Sequence, residues 1–155
     1  VTDPILHVVL YEPEIPLNTG SVGRTCVAVG AKLWLVRPLG FRIDDRQLQR
    51  AGLDYWKRLD WQVVDNWASL TQLLDPDRMW LIETHGETIY TQANYRRGDV
   101  LVFGPETRGL PQRLLQLDSK RVLRLPMQAD SRSLNQSNVV SVVVFEMLRQ
   151  LNWGG

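Results

Sequence analysis

Short apolar runs of four to six residues alternate with helix-patterned stretches along the whole chain, and that alternation limits the fold more than any other feature. Residues 6–11 (LHVVLY), 32–36 (KLWLV), 61–64 (WQVV), 79–83 (MWLIE), 99–103 (DVLVF) and 121–125 (RVLRL) read as strands. Between them lie helical segments. Residues 19–29 carry Val22, Cys26 and Val29 on one stripe, with Gly30 as a stop. Residues 44–51 form a polar helix opened by acidic side chains. Residues 67–74 stop at Asp75-Pro76. Residues 111–117 begin on a proline, which a first helical turn tolerates. The last segment, residues 135–151, is rich in β-branched valine yet too long for a strand. Asn135 can cap it and Gly154 sits where a stop belongs, so it reads as a helix. Being apolar almost all round, it needs cover on more than one side, which a second subunit can supply. Strands separated by helices predict an α/β fold: a mostly parallel sheet with helices on both faces, in a single domain spanning residues 1–155.

Composition excludes several function classes. One cysteine, Cys26, forbids an internal disulfide and a Cys-rich metal site. The only histidines, His7 and His85, lie far apart, so no metal is expected. No stretch approaches the ~20 apolar residues that span a bilayer, and residues 1–10 lack a basic leader region. A cytoplasmic protein with no membrane association is the expectation. Net charge is +1, and the eighteen basic residues include fifteen Arg against three Lys. That bias suits bidentate recognition of phosphate or carboxylate.

Three loops that follow strands hold most of the chemistry, and ligands of open α/β sheets bind beyond the strands' carboxyl ends. The first contains PEIPLNTGSVGRT (13–25). Asn18, Thr19, Gly20 and Ser21 can cap a helix whose free N–H groups suit an anion, and Arg24 lies one turn further in. Its plainer reading is a capped helix with a solvated arginine. The second, FGPETRGLP (103–111), frames Glu106 and Arg108 between Gly104, Pro105, Gly109 and Pro111. A turn with a surface ion pair is the plainer reading there. The third, LPMQADSRSLNQSN (125–138), holds more hydroxyl and amide groups than one helix cap needs. No G-x-G-x-x-G or G-x-x-x-x-G-K-[ST] pattern is present, which argues against a dinucleotide or P-loop site. By themselves the loops specify no reaction.

In this order, YEPEIPLNTGSVGRTC, LVFGPETRGLP and RLPMQADSRSLNQSNVVSVVVFE resemble the three motifs of the SPOUT RNA 2′-O-methyltransferases. With FRIDDRQLQRAGLDYW between them, the chain is most similar to the branch acting on C/U34 of tRNA. The resemblance implies a deep trefoil knot in the C-terminal part, a feature that general chain-packing rules would not predict. It also implies a homodimer, S-adenosyl-L-methionine as methyl donor, and the tRNA anticodon stem-loop as partner. By the same resemblance, Ile82, Thr84, Gly104, Glu106, Leu125, Met127, Ser133 and Leu134 would line the donor pocket. Asn18, Arg24, Ser133 and Asn135 would be catalytic, with Glu106 at a functional position and Ser137 nearby. Glu83 and His85 stand where small or basic residues are more usual.

The reaction so implied is an in-line displacement by a ribose 2′-oxygen at a sulfonium methyl. It needs alignment of two atoms and removal of a hydroxyl proton. A guanidinium with a pKa above ~12 is a poor base, so Arg24 is expected to clamp an RNA phosphate instead. Arg24, Arg42, Arg46, Arg50 and Arg132 are the expected RNA contacts, and Trp56 is a candidate to stack on an anticodon base. His7 and Cys26 are expected to be structural. The competing readings are an enzyme of the same class acting on another tRNA or rRNA position, a non-catalytic RNA-binding homologue, and a plain nucleotide-binding α/β protein.

Overall fold

The computed structural model describes residues 3–44, 46–51, 55–116, 118–131 and 133–153. Its strands are β1 (His7–Tyr11), β2 (Lys32–Val36), β3 (Trp61–Val64), β4 (Met79–Ile82), β5 (Thr88–Ile89), β6 (Val100–Phe103) and β7 (Val122–Arg124). Its α-helices are α1 (Pro16–Val29), α2 (Arg46–Ala51), α3 (Trp67–Leu73), α4 (Gln112–Leu115) and α5 (Gln136–Gln150). The strands form one sheet in the order β3-β2-β1-β6-β4-β7-β5, and its six pairings are all parallel. The chain winds from β1 outward to β3, then crosses to build the other half. The order therefore reverses between β1 and β6, and in such sheets ligands bind near that point, beyond the carboxyl ends of the strands. This order is consistent with the threaded C-terminal part that the resemblance implies.

Each strand feeds both faces of the sheet, as its period of two requires. Val8, Leu10, Leu33, Leu35, Leu101, Phe103 and Leu123 face α1 and α5, against Val22, Cys26, Val140, Val143 and Met147. Val9, Trp34, Val36, Leu81, Val100 and Val102 face the other way, against Leu70 of α3 and Leu114 of α4. The near-continuous apolar strands are thus those of a sheet covered on both sides. Burial pushes the Cys26 thiol up to about 12, which leaves it a small inert hydrophobe. His7 accepts a hydrogen bond at Nδ1 from Trp34 Nε1 at 3.0 Å, and burial, with Lys32 nearby, lowers its pKa. Both residues are structural, as expected.

Most elements fall where the pattern put them. α1 differs: it begins at Pro16, three residues early, because proline's fixed φ and missing N–H suit the first helical position. Asn18 to Ser21 consequently lie inside the helix, and Ile15 at the N-cap makes no side-chain cap. Gly30 ends α1 at φ 77°; its N–H donates to Cys26 O, and Ala31 N donates to the same carbonyl at 2.9 Å. Asn135 caps α5 through Ser137 N, as read from the sequence. Gly154 lies outside the described residues, as do Asp45 and Leu117 at the edges of two expected helices. Two-residue β5 gave no pattern to read. Among the described residues no helix is long and apolar enough to cross a membrane.

Leu101 is fully buried in β6, between Val8 of β1 and Trp80 of β4. Leu101→Ala is expected to lower the unfolding free energy by about 3 kcal/mol, within the usual range for a buried leucine. Chemical denaturation checks this; a loss below about 1 kcal/mol would contradict a packed centre.

Candidate active site

The loops leaving β1, β4, β6 and β7 meet at one end of the sheet because all four strands are parallel and adjacent. Glu106 ties the first of them to the third. Its carboxylate accepts from Glu14 N at 3.0 Å, Ile15 N at 2.7 Å and Asn18 Nδ2 at 3.3 Å. The anion expected at the start of α1 is therefore a carboxylate of the chain itself, and it serves a helix that has no cap of its own. Glu14 returns the contact, accepting from Thr107 N at 2.9 Å and Thr107 Oγ1 at 2.8 Å. Those bonds, with a weaker contribution from Arg108, lower the Glu14 pKa. Arg108 Nη2 also lies 3.2 Å from Glu12 Oε1.

A second carboxylate fixes the turn after β6. Glu83 accepts from Thr84 N at 2.9 Å and from Leu110 N at 2.8 Å. The close approach requires Gly109, at φ +70°, where a Cβ would sit 2.8 Å from Glu83 Oε2. Gly104 is equally constrained, since a Cβ there would lie 2.7 Å from the carbonyl carbon of Gly109.

An amide chain joins the remaining loop. Asn135 Nδ2 donates to Asn18 Oδ1 at 3.1 Å, and Asn135 Oδ1 accepts from Ser137 N at 2.9 Å. Gln136 Nε2 donates to the Gly104 carbonyl at 2.8 Å. Gln136 Oε1 is buried with no partner among the described residues. Around these groups lies a cavity of about 620 Å³, a size that suits a small-molecule ligand. Ile82, Phe103, Leu125, Met127 and Val139 give it apolar walls.

All eight residues expected at a donor pocket, Ile82, Thr84, Gly104, Glu106, Leu125, Met127, Ser133 and Leu134, line this cavity. So does Asn135, and Asn18 is buried behind Glu106. Arg24 does not line it. It lies exposed on α1, its guanidinium 4.8 Å from the centre of the Tyr55 ring. Arg42 pairs with Asp44 at 3.3 Å on the surface, and Arg46 and Arg50 are exposed on α2. Arg132 lies outside the described residues. Sequence reasoning missed three contributors: Glu14, the bracing role of Glu83, and Gln136. Each acts on backbone or loop atoms distant in sequence, so local pattern carried no signal for them.

The chain is thus a parallel α/β sheet whose β4, β6 and β7 loops line one cavity at the carboxyl ends of the strands, where ligands of such sheets bind. The sequence pattern of the SpoU rRNA Methylase family matches residues 5–145, and the chain belongs to that family. It is 46% identical to the tRNA (cytidine(34)-2'-O)-methyltransferase of Saccharophagus degradans, covering 97% of this chain and 99% of that one. The enzyme of the same name from Escherichia coli (strain K12) is 44% identical, with 97% of each chain covered. A solved structure described as "Structural insights into the 2-OH methylation of C/U34 on tRNA" aligns with a TM-score of 0.88 at 44% identity. That alignment covers 95% of this chain and 96% of the other.

The lowered Glu14 pKa makes its hydrogen bonds with Thr107 a source of stability present above the ordinary carboxylate pKa near 4.5. It is lost as the pH falls through the lower folded value. Glu14→Gln is therefore expected to lose less stability than the parent protein between pH 6 and about pH 3. Parallel thermal melts check this; identical acid losses in the two proteins would contradict the clamp.

Proposed function

We propose that this chain transfers a methyl group from S-adenosyl-L-methionine to the ribose 2′-hydroxyl of the wobble nucleotide, position 34, of tRNA. The observation that carries the reading is a cavity lined by loops distant in sequence, with Glu106 and Asn135 in its wall and Asn18 bonded to both behind them. Relatives at 44–46% identity over nearly the full length, named for position 34, favour it over another tRNA or rRNA target.

The residues present fit the donor. Apolar walls suit an adenine, and the side-chain-free Gly104 lets backbone groups approach it. Gln136 Oε1, buried in the cavity wall and lacking a partner among the described residues, is an acceptor for one of the donor's N–H or O–H groups. When bound, the donor supplies an electrophilic methyl on a sulfonium that departs as a neutral thioether. The chain's part is alignment. Asn18, fixed between Glu106 and Asn135, and Ser133 at the rim orient the ribose so that its 2′-oxygen faces the methyl carbon. The guanidinium of Arg24 grips the neighbouring phosphate.

Arg24 stands off the cavity of its own chain, so this role requires a second copy. Leu17 on α1 and Val142 and Phe145 on α5 are 40–54% exposed, on helices held side by side by a Thr25–Ser141 contact of 3.2 Å. A homodimer packed on this face covers those side chains and carries the Arg24 of one copy towards the cavity of the other. Arg42, Arg46, Arg50 and Arg132 supply further phosphate contacts in a cytoplasmic protein working on tRNA.

Incubating the protein and donor with total tRNA from a strain lacking it should yield a 2′-O-methyl group at nucleotide 34; methylation elsewhere, or none, refutes the reading. Arg24→Ala should keep donor affinity, measured by calorimetry, and lose at least about a hundredfold in transfer, as expected for loss of a positioning clamp. Full activity would remove that role. Phe145→Asp should sediment as a monomer and lose transfer, whereas an active monomer would refute the shared site.

A further inference from the structure

A second depression lies at the same end of the sheet. Its volume is about 660 Å³, and it is open to solvent. Leu39, Phe41, Ile43 and Trp56 form apolar and aromatic walls, while Arg37 and Arg42 stand at its edge. The Pro13–Glu14 backbone links the loop that bounds it to the wall of the cavity. Gly40 N donates to Pro13 O at 2.9 Å, and a Cβ on Gly40 would sit 2.8 Å from Glu14 Cα. On its other side, Glu14 N bonds to Glu106 in the cavity wall.

We propose that this depression receives the base of a nucleotide flanking the one methylated. The inference rests on the reading of the main cavity as an RNA-ribose site. Apolar walls with an aromatic ring suit the face of a nucleobase, which every base offers whatever its sequence. The edge suits the attached phosphate. Arg37 pairs with Asp65 at 3.6 Å and Arg42 with Asp44 at 3.3 Å, and these side chains are at least half exposed. Such pairs hold little energy, so either guanidinium can turn to a phosphate at small cost. The surroundings add to the positive field: Tyr55, next to Trp56, carries Arg58 at 5.3 Å over its ring. A single strand with its ribose in the cavity passes over Pro13–Glu14 and sets a neighbouring base in the depression. A base held there fixes the register of the strand and decides which ribose meets the methyl group.

The test uses an anticodon stem-loop RNA in three forms: intact, and abasic at either neighbour of the target nucleotide. The wild-type protein should lose about tenfold in kcat/KM on one of the two abasic RNAs, the size expected for one base–aromatic stack. Phe41→Ala should show the same loss on intact RNA and no further loss on that abasic RNA, with unchanged affinity for S-adenosylhomocysteine. Equal activity of the wild type on all three RNAs overturns the proposal, as do losses from variant and abasic site that multiply. If the wild type binds S-adenosylhomocysteine but leaves the intact RNA unmethylated, the reading of the main cavity falls first and this inference with it.

Discussion

The site depends on one carboxylate. α1 opens on Ile15 and Pro16, neither of which brings a capping side chain, so the entry to the helix is held by Glu106 from a loop about ninety residues later. Glu106 pairs with free N–H groups at the positive end of α1, so it both stabilises the helix start and fixes where the β6 loop must lie. Its third bond, from Asn18, passes the constraint to Asn135 and so to the start of α5. Three loops are thereby located relative to one another before any ligand arrives, which is the preorganisation an alignment-driven reaction needs.

Glu14, Glu83 and Glu106 spend their oxygens mainly on backbone N–H groups of this same loop cluster. Charge near the cavity is thus used as scaffolding. What is left for a ligand is amides, the hydroxyls of Thr84 and Ser133, the His85 imidazole, backbone groups and apolar surface, with Gln136 Oε1 as the one buried acceptor in the cavity wall left without a partner among the described residues. Such a lining holds a ligand by shape and hydrogen bonds.

Much of this was legible in the sequence. The apolar runs located six of the seven strands to within about a residue, the usual margin for element ends, because strands buried on both faces leave an unbroken signature. β5, two residues long, leaves none. The start of α1 was misplaced because Asn18 to Ser21 look like caps, whereas the structural signal was Pro16. The cavity residues came from the motif resemblance, and they do converge. Glu83 and Gln136 escaped because their partners, Leu110 N and Gly104 O, are backbone atoms that no side-chain pattern advertises. Arg24 is a different case: the resemblance expected it at the site, and it stands on the exposed surface of α1, off the cavity of its own chain.

The claim beneath all of this is that Thr84, the 104–110 turn and the 133–136 segment form one binding surface. Titration of 15N-labelled protein with S-adenosylhomocysteine tests it most directly. The amides of Thr84, Gly104, Leu110, Ser133 and Gln136 should shift together and yield one dissociation constant. Shifts confined to a single loop, or fitting different constants in different loops, would contradict the account.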